Sequence, residues 1–295
     1  MNQKLLNELE KLLKEDGLYN TYLDNLKLFK VSSPMVLSPC VYDNWVVFTF
    51  QNSKTVKLNN HVLEYNKSNY LVASSKLPLE GQTYFASQEE PMISMIISID
   101  EKEIYQLIQE LSEDFSDELT DTLQGTFVDS VTPEIEDLLY KLIKVIKSKE
   151  ESRILGKALL KELFYRILKG KNAKFLYKLF DKSSKEAKIA RTLQSIHNGF
   201  SNNLDIESLA REEDMSVASF HTHFKKITLH TPLQYIKKIR LTKARDLIIQ
   251  ENLQVNEVAT KVGYENISHF SREFKKYFGF SPKDAKVSYA EYNLE

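Results

Sequence analysis

The last third of the chain repeats one arrangement at a spacing of about 50 residues. DIESLARE (205–212), a turn at EDM (213–215) and SVASFHTHFKK (216–226) are followed by VNEVATKV (255–262), a turn at Gly263, Tyr264 and Glu265, and NISHFSREFKK (266–276). Each copy reads as a short helix, a tight turn and a longer helix. Ser216 or Asn266 opens the longer helix as an N-cap, accepting from backbone N–H groups that lack an intrahelical partner. Two phenylalanines follow at i, i+4, Phe220 and Phe224, then Phe270 and Phe274, so each pair shares one buried face. Ala210 and Ala259 hold matching places in the first helices, where a small side chain lets two helices cross closely. Between the copies, Thr231, Pro232 and Gln234 supply an N-cap, a first-position proline and a capping-box partner. The stripe Ile236, Ile239, Leu241, Ala244, Leu247 and Ile248 then predicts a buried helix over 232–250. Such a helix spans on the order of 28 Å. It can hold two helix-turn-helix units about one DNA turn apart, roughly 34 Å.

The body ahead of this repeat has a different character. Residues 4–14 carry leucines at helical spacing. Residues 27–100 are rich in Val, Tyr, Phe and Thr, in short runs such as WVVFTF (45–50), TVKL (55–58), HVLEY (61–65) and MISMIISI (92–99). Asn59-Asn60 fits a tight hairpin between two of them. Regularly spaced short strands without intervening helices predict a small antiparallel barrel or sandwich. From Asp100 the pattern turns helical. Thr132-Pro133 starts a helix whose stripe is Ile135, Leu138, Leu139, Leu142, Ile143 and Ile146. A second helix covers 152–169, with Gly170 as a stop signal. The stripe on 135–146 is a candidate surface for pairing two copies or, equally, for packing on the chain's own barrel or on helix 152–169. KSSK (182–185) reads as a short linker. The fold class is therefore α+β. An N-terminal domain over 1–182 has its barrel at about 27–100 and helices at about 101–180, and an all-α domain with two helix-turn-helix units follows at 184–290.

Charge is uneven between the two parts. Residues 184–288 hold 17 Lys and Arg against 12 Asp and Glu, while the rest of the chain holds 23 against 29. A mildly basic module on an acidic body suits phosphate binding. The single cysteine, Cys40, excludes an internal disulfide and points to a reducing, cytoplasmic setting. No apolar run approaches the roughly 20 residues of a membrane span. No P-loop, nucleophile motif or metal triad is present, so neither an enzyme nor a cofactor is expected, and His221 and His223 face different ways on their helix. A fused cupin enzyme and a protein-binding adaptor are the competing classes.

The strings ATKVGY (259–264), HFSREFKK (269–276), FG (278–279) and SP (281–282) closely resemble the AraC/XylS family of bacterial regulators, over about 186–288. SNYLVASSKLPLEGQTYFAS (68–87) and PMISMIISID (91–100) resemble the cupin-like N-terminal domain of one AraC-type subfamily. The resemblance implies double-stranded DNA as partner, with RNA polymerase, a small-molecule effector and a second copy of the chain as further partners, an activator role, and no membrane. Carried over by position, the base-reading residues fall on Ala218, His221 and Thr222 in the first unit and on Ile267, Ser268 and Arg272 in the second. Arg272 is the best single candidate, since arginine pairs bidentately with guanine. Ser216, Lys225, Lys226, Asn266 and Lys276 are candidates for phosphate contacts. An effector pocket inside the barrel would draw on Tyr42, Trp45, Phe48 and Phe50. One departure stands out: the family has glycine where this chain has Leu229, in KKITLHTP (225–232). A turn outside the left-handed region would tolerate it.

Overall fold

The computed structural model describes residues 3–74, 76–111, 125–180, 184–251 and 253–286. A leading helix, α1 (Gln3–Leu12), buries Leu5 and Leu9. The strands β1 (Gly17–Asn20), β2 (Leu26–Val31), β3 (Met35–Tyr42), β4 (Trp45–Gln51), β5 (Ser53–Leu58), β6 (His61–Asn66), β7 (Asn69–Ala73), β8 (Leu77–Thr83) and β9 (Met92–Ser98) follow. After α2 (Glu101–Leu111), a further strand, β10 (Thr126–Ser130), pairs with β7. The pairings are antiparallel, along the path β1-β2-β9-β4-β7-β6-β5-β8-β3. This curled sheet is a half-barrel whose path stays open between β1 and β3. It also exceeds the expected 27–100 at both ends. β1 and β10 have four and five residues, too few to show a periodicity in sequence.

Strand alternation divides the sheet between two cores. Val46, Phe48, Phe50, Tyr70 and Val72 point to one face, where α1, α2, α3 (Pro133–Val145), α4 (Lys149–Leu168) and α5 (Lys174–Phe180) cover them. Tyr42, Val47, Val56, Tyr65, Leu71 and Leu79 form the other cluster, with Trp45 and Cys40 packed against it. The four aromatic residues expected to line one pocket are therefore split. Tyr42 and Trp45 meet edge to face at 5.6 Å between ring centres on one side, while Phe48 and Phe50 lie under the helices on the other. Trp45 and Phe48 are three apart on one strand, so a period of two places them on opposite faces. Tyr42 and Tyr65 join their hydroxyls at 2.9 Å within the inner cluster.

Thr132 caps α3 and Pro133 opens it. Ile135, Leu138, Leu139, Leu142, Ile143 and Ile146 are all buried in the first core, which leaves the stripe nothing to offer a second copy. α4 starts at Lys149 behind the cap Ser148, three residues before the expected start. Gly170 acts through close approach: a Cβ there would lie 2.6 Å from the Asp129 carboxylate. In the expected linker, residues 182 and 183 lie outside the described part, and Ser184 caps the next helix.

That helix, α6 (Lys185–Gly199), begins the second domain, followed by α7 (Ile206–Glu212), α8 (Val217–Thr228), α9 (Pro232–Gln250), α10 (Val255–Lys261) and α11 (Ile267–Phe278). α9 serves two cores at once. Tyr235, Ile236 and Ile239 join Phe220 and Phe224 in one, and Leu241, Ala244 and Ile248 join Phe270 and Phe274 in the other. The same helix lies against β3 and β8. Arg245 Nη1 donates to the Pro39 carbonyl at 2.5 Å, and the Tyr235 hydroxyl donates to the Lys76 carbonyl. Pro39 is tolerated because β3 is an edge strand needing no donor on its outer side. Among the described residues, no helix is long and apolar enough to cross a membrane.

The Tyr235 hydroxyl has one proton, which goes to Lys76. His197 Nε2, 2.9 Å away, must therefore donate to the phenol oxygen. Burial and the Lys76 ammonium push His197 down to about 4, and burial and Lys238 do the same for His230. In the unfolded chain both rings protonate near pH 6.5. The unfolded state thus binds more protons between these limits, and stability must fall as pH drops from about 6.5 towards 4. Chemical denaturation should show a loss on the order of 2–3 kcal/mol per histidine over that range. His230→Asn should flatten the dependence.

Candidate nucleic-acid interface

The two units are built from matching local chemistry. Asp205 caps α7, accepting from the Ser208 amide at 2.8 Å. The turn after α7 enters the left-handed region at Asp214 (φ 50°), and the turn after α10 does so at Gly263 (φ 82°). In each, the next residue's amide reaches back to the buried alanine: Met215 to the Ala210 carbonyl and Tyr264 to the Ala259 carbonyl, both at 2.9 Å. This satisfies carbonyls at the helix end that have no intrahelical partner. At Gly263 a Cβ would also strike the Ser201 carbonyl oxygen. Arg240 of α9 holds that region from the other side. Its guanidinium donates to the carbonyls of Phe200 (2.7 Å), Gly263 (3.0 Å) and Asn202 (2.8 Å). The fork geometry of arginine suits three fixed acceptors, so α6, α9 and the turn of the second unit are tied together.

On this frame α8 and α11 bury their phenylalanines completely and turn the opposite face outward. Ala218, His221 and Thr222 are exposed on α8, and Ile267, Ser268 and Arg272 on α11. The caps fix both helix N-termini. Ser216 Oγ accepts from the Ser219 amide at 3.3 Å, and Asn266 Oδ1 accepts from the His269 amide at 2.8 Å. Those oxygens are thus committed to capping, and only the Ser216 hydroxyl proton and the Asn266 amide nitrogen remain to meet a phosphate. Thr222 donates its hydroxyl to the Ala218 carbonyl at 2.9 Å, leaving its methyl group and lone pairs for a base edge. Lys225, Lys226, Lys275 and Lys276 are exposed at the far ends. Glu273 is the acidic group on α11. Lys237 of α9 pairs with it at 2.6 Å, which holds its carboxyl below the usual range and offsets its negative charge.

The repeat extends the set of matching positions. Helix α8 aligns with α11 at an offset of 50 residues, from Ser216 with Asn266 onward. Val217 is then the counterpart of Ile267, and both are exposed (41% and 42%) at the first helical position. Ser271 is the counterpart of His221, and Lys275 of Lys225. Val217, Ser271 and Lys275 therefore occupy positions equivalent to candidate residues of the other unit. Leu229 also differs from the expectation. It caps α8 in the left-handed conformation, φ 55° and ψ 14°, so the turn does demand what glycine gives freely. Glycine stands at the matching cap of α11, Gly279, with φ 87°. A left-handed leucine costs roughly 1–2 kcal/mol.

A second concave region lies where the domains meet. A cleft of about 770 Å³ is bounded by α2, α5, α6 and the strand ends, with Tyr105, Leu179, Phe180, Ala190 and Leu193 as apolar wall and Lys76, Lys102 and Arg191 among its polar groups.

Comparison with known proteins agrees with this geometry. The family described as AraC-type transcriptional regulator N-terminus matches residues 22–175, and a helix-turn-helix domain family matches 209–286. The HTH-type transcriptional activator RhaS of Salmonella paratyphi B is 29% identical over 104 residues, 35% of this chain and 37% of RhaS, so the match spans little more than a third of that relative. Two structures of ToxT from Vibrio cholerae share the fold at 12% identity. An apo variant has a TM-score of 0.60 over 91% of this chain and 98% of its own. The unsaturated fatty acid-bound wild type has 0.56 over 93% and 97%.

Arg272→Ala should lower the preference for cognate over scrambled DNA by about 1–3 kcal/mol. Competition titrations measure it, and unchanged discrimination would remove Arg272 from the reading surface. With the helix pair, its capping chemistry and the half-barrel all in place, the chain belongs to the AraC-type transcriptional regulators.

Proposed function

We propose that this chain is a sequence-specific DNA-binding transcription regulator that inserts α8 and α11 into successive major grooves. The observation carrying the reading is the pair of exposed helix faces, each opened by a capped N-terminus and each mounted on the same helix, α9. Ala218, Val217 and Ile267 offer apolar surface suited to thymine methyl groups, and Arg272 suits guanine. Such a reading surface has few hydrogen-bonding groups, so DNA shape supplies part of the specificity. The activator role named for RhaS is the sign of regulation we assign, with RNA polymerase as the partner that an upstream activator recruits. Fluorescence anisotropy of the full chain on its own upstream region, at two salt concentrations with scrambled competitor, tests the reading. Binding should prefer the cognate sequence and weaken steeply with salt, because bound phosphates release counterions. Equal binding to scrambled DNA, or none, would count against it.

Control enters through the N-terminal domain. The inner cluster of the sheet is a packed core, and the site we assign to a small, largely apolar effector is the cleft between α2, α5 and α6. Its volume is within the usual range for ligand pockets, roughly 300–1,000 Å³. A ligand there touches both domains and biases their arrangement by its differential contacts. Ala190→Trp should fill the cleft and abolish the melting shift that a bound apolar ligand produces. A shift surviving in that variant would place the effector elsewhere. Pairing of two copies needs a surface other than the 135–146 stripe, which is consumed by the core.

A further inference from the structure

The two helix-turn-helix units are near copies, and they differ most at one cap. Gly279 ends α11 in the left-handed region without strain and is exposed. Leu229 ends α8 in the same region at an energetic cost that glycine would avoid. Its side chain is spent on the other domain: Leu229 packs against the sheet cluster of Tyr42, Val47, Tyr65 and Leu71. Its carbonyl accepts from Asn59 Nδ2 at 2.6 Å, across 170 residues of sequence. Asn59 is itself left-handed, φ 54°, at the tip of the β5–β6 hairpin. Two residues in the left-handed region, one from each domain, thus meet head on.

The surroundings make this a seat for the first unit. A Cβ on Gly125 would lie 3.5 Å from the Ile227 carbonyl oxygen, so the loop before β10 closes on the end of α8. Val41 of β3 packs on the core of the first unit. The contact grips the C-terminal end of α8, and the base-reading residues occupy the other end. The helix has 12 residues and spans about 18 Å, so a tilt at Leu229 sweeps the reading end across a base pair.

We propose that Asn59 and Leu229 form a positioning contact through which the N-terminal sheet fixes the orientation of the first recognition helix. The leucine trades local strain for a link between domains, and that link preorganises α8 for its groove. The proposal rests on the DNA-binding reading for its functional readout and stands apart from it in its structural one. Asn59 is an exposed hairpin residue that belongs to neither recognition helix, so its effect on DNA discriminates this role from simple helix capping.

The experiment uses the full chain and four variants: Asn59→Ala, Leu229→Gly, Leu229→Met and the Asn59→Ala/Leu229→Gly double. Hydrogen exchange at residues 217–228 is read against 267–278 as internal reference, and cognate DNA affinity is read by anisotropy. Asn59→Ala should speed exchange in 217–228 about fivefold or more and leave 267–278 unchanged, with a melting shift under about 2 °C. Cognate affinity should fall about fivefold in Asn59→Ala and in Leu229→Gly, with no further loss in the double variant, whereas Leu229→Met should behave as wild type. Unchanged exchange of 217–228 in Asn59→Ala overturns the proposal whatever the DNA result. So does cognate affinity in that variant within twofold of wild type, or additivity in the double. A wild type that ignores its DNA defeats the regulator reading instead, and the exchange comparison still decides the contact.

Discussion

Helix α9 has to satisfy two hydrophobic cores at once, and both DNA-reading units depend on that. Its N-terminal half closes the core around Phe220 and Phe224, and its C-terminal half closes the core around Phe270 and Phe274. Arg240, between the halves, spends its guanidinium on three backbone carbonyls. Because those acceptors belong to the α6–α7 connection and the turn after α10, one side chain fixes the second unit against the first helix of its domain. The relative placement of α8 and α11 is thus set by the buried stripe of the helix between them.

The same helix carries the load between domains. Arg245 and Tyr235 reach backbone carbonyls of β3 and of the residue before β8, and Leu229 and Val41 exchange places between the two apolar clusters. Polar contacts to carbonyls and a few apolar side chains make a modest interface, more like a transient surface than a continuous core. His197 adds a condition: burial and the Lys76 ammonium disfavour its charged form, so this joint loses stability as pH falls towards 4.

Much of the second domain was legible in the chain itself. The capping residues Ser216, Asn266 and Thr231, the paired phenylalanines and the small Ala210 and Ala259 each act within a few residues of their own position. Local periodicity and cap chemistry therefore identify them. The hairpin at Asn59 and the cap at Thr132 were readable for the same reason. The conformation at Leu229 was not, because leucine gives no signal of a left-handed turn and only the partner domain explains why it is there.

What the sequence determined alone was the helices of the repeat, the longer strands and helices of the body and the family to which they belong, since helix caps, stripes and the 50-residue repeat are local or self-referential patterns. Tertiary structure decided everything that depends on which face meets which. It sent Phe48 and Phe50 away from Tyr42 and Trp45, consumed the 135–146 stripe in the chain's own core, and brought β10 back to β7. It also set Asn59 against Leu229. The physical reason is common to all four: a strand or helix presents two faces, composition marks them as apolar, and only the packed neighbours choose which partner each face receives.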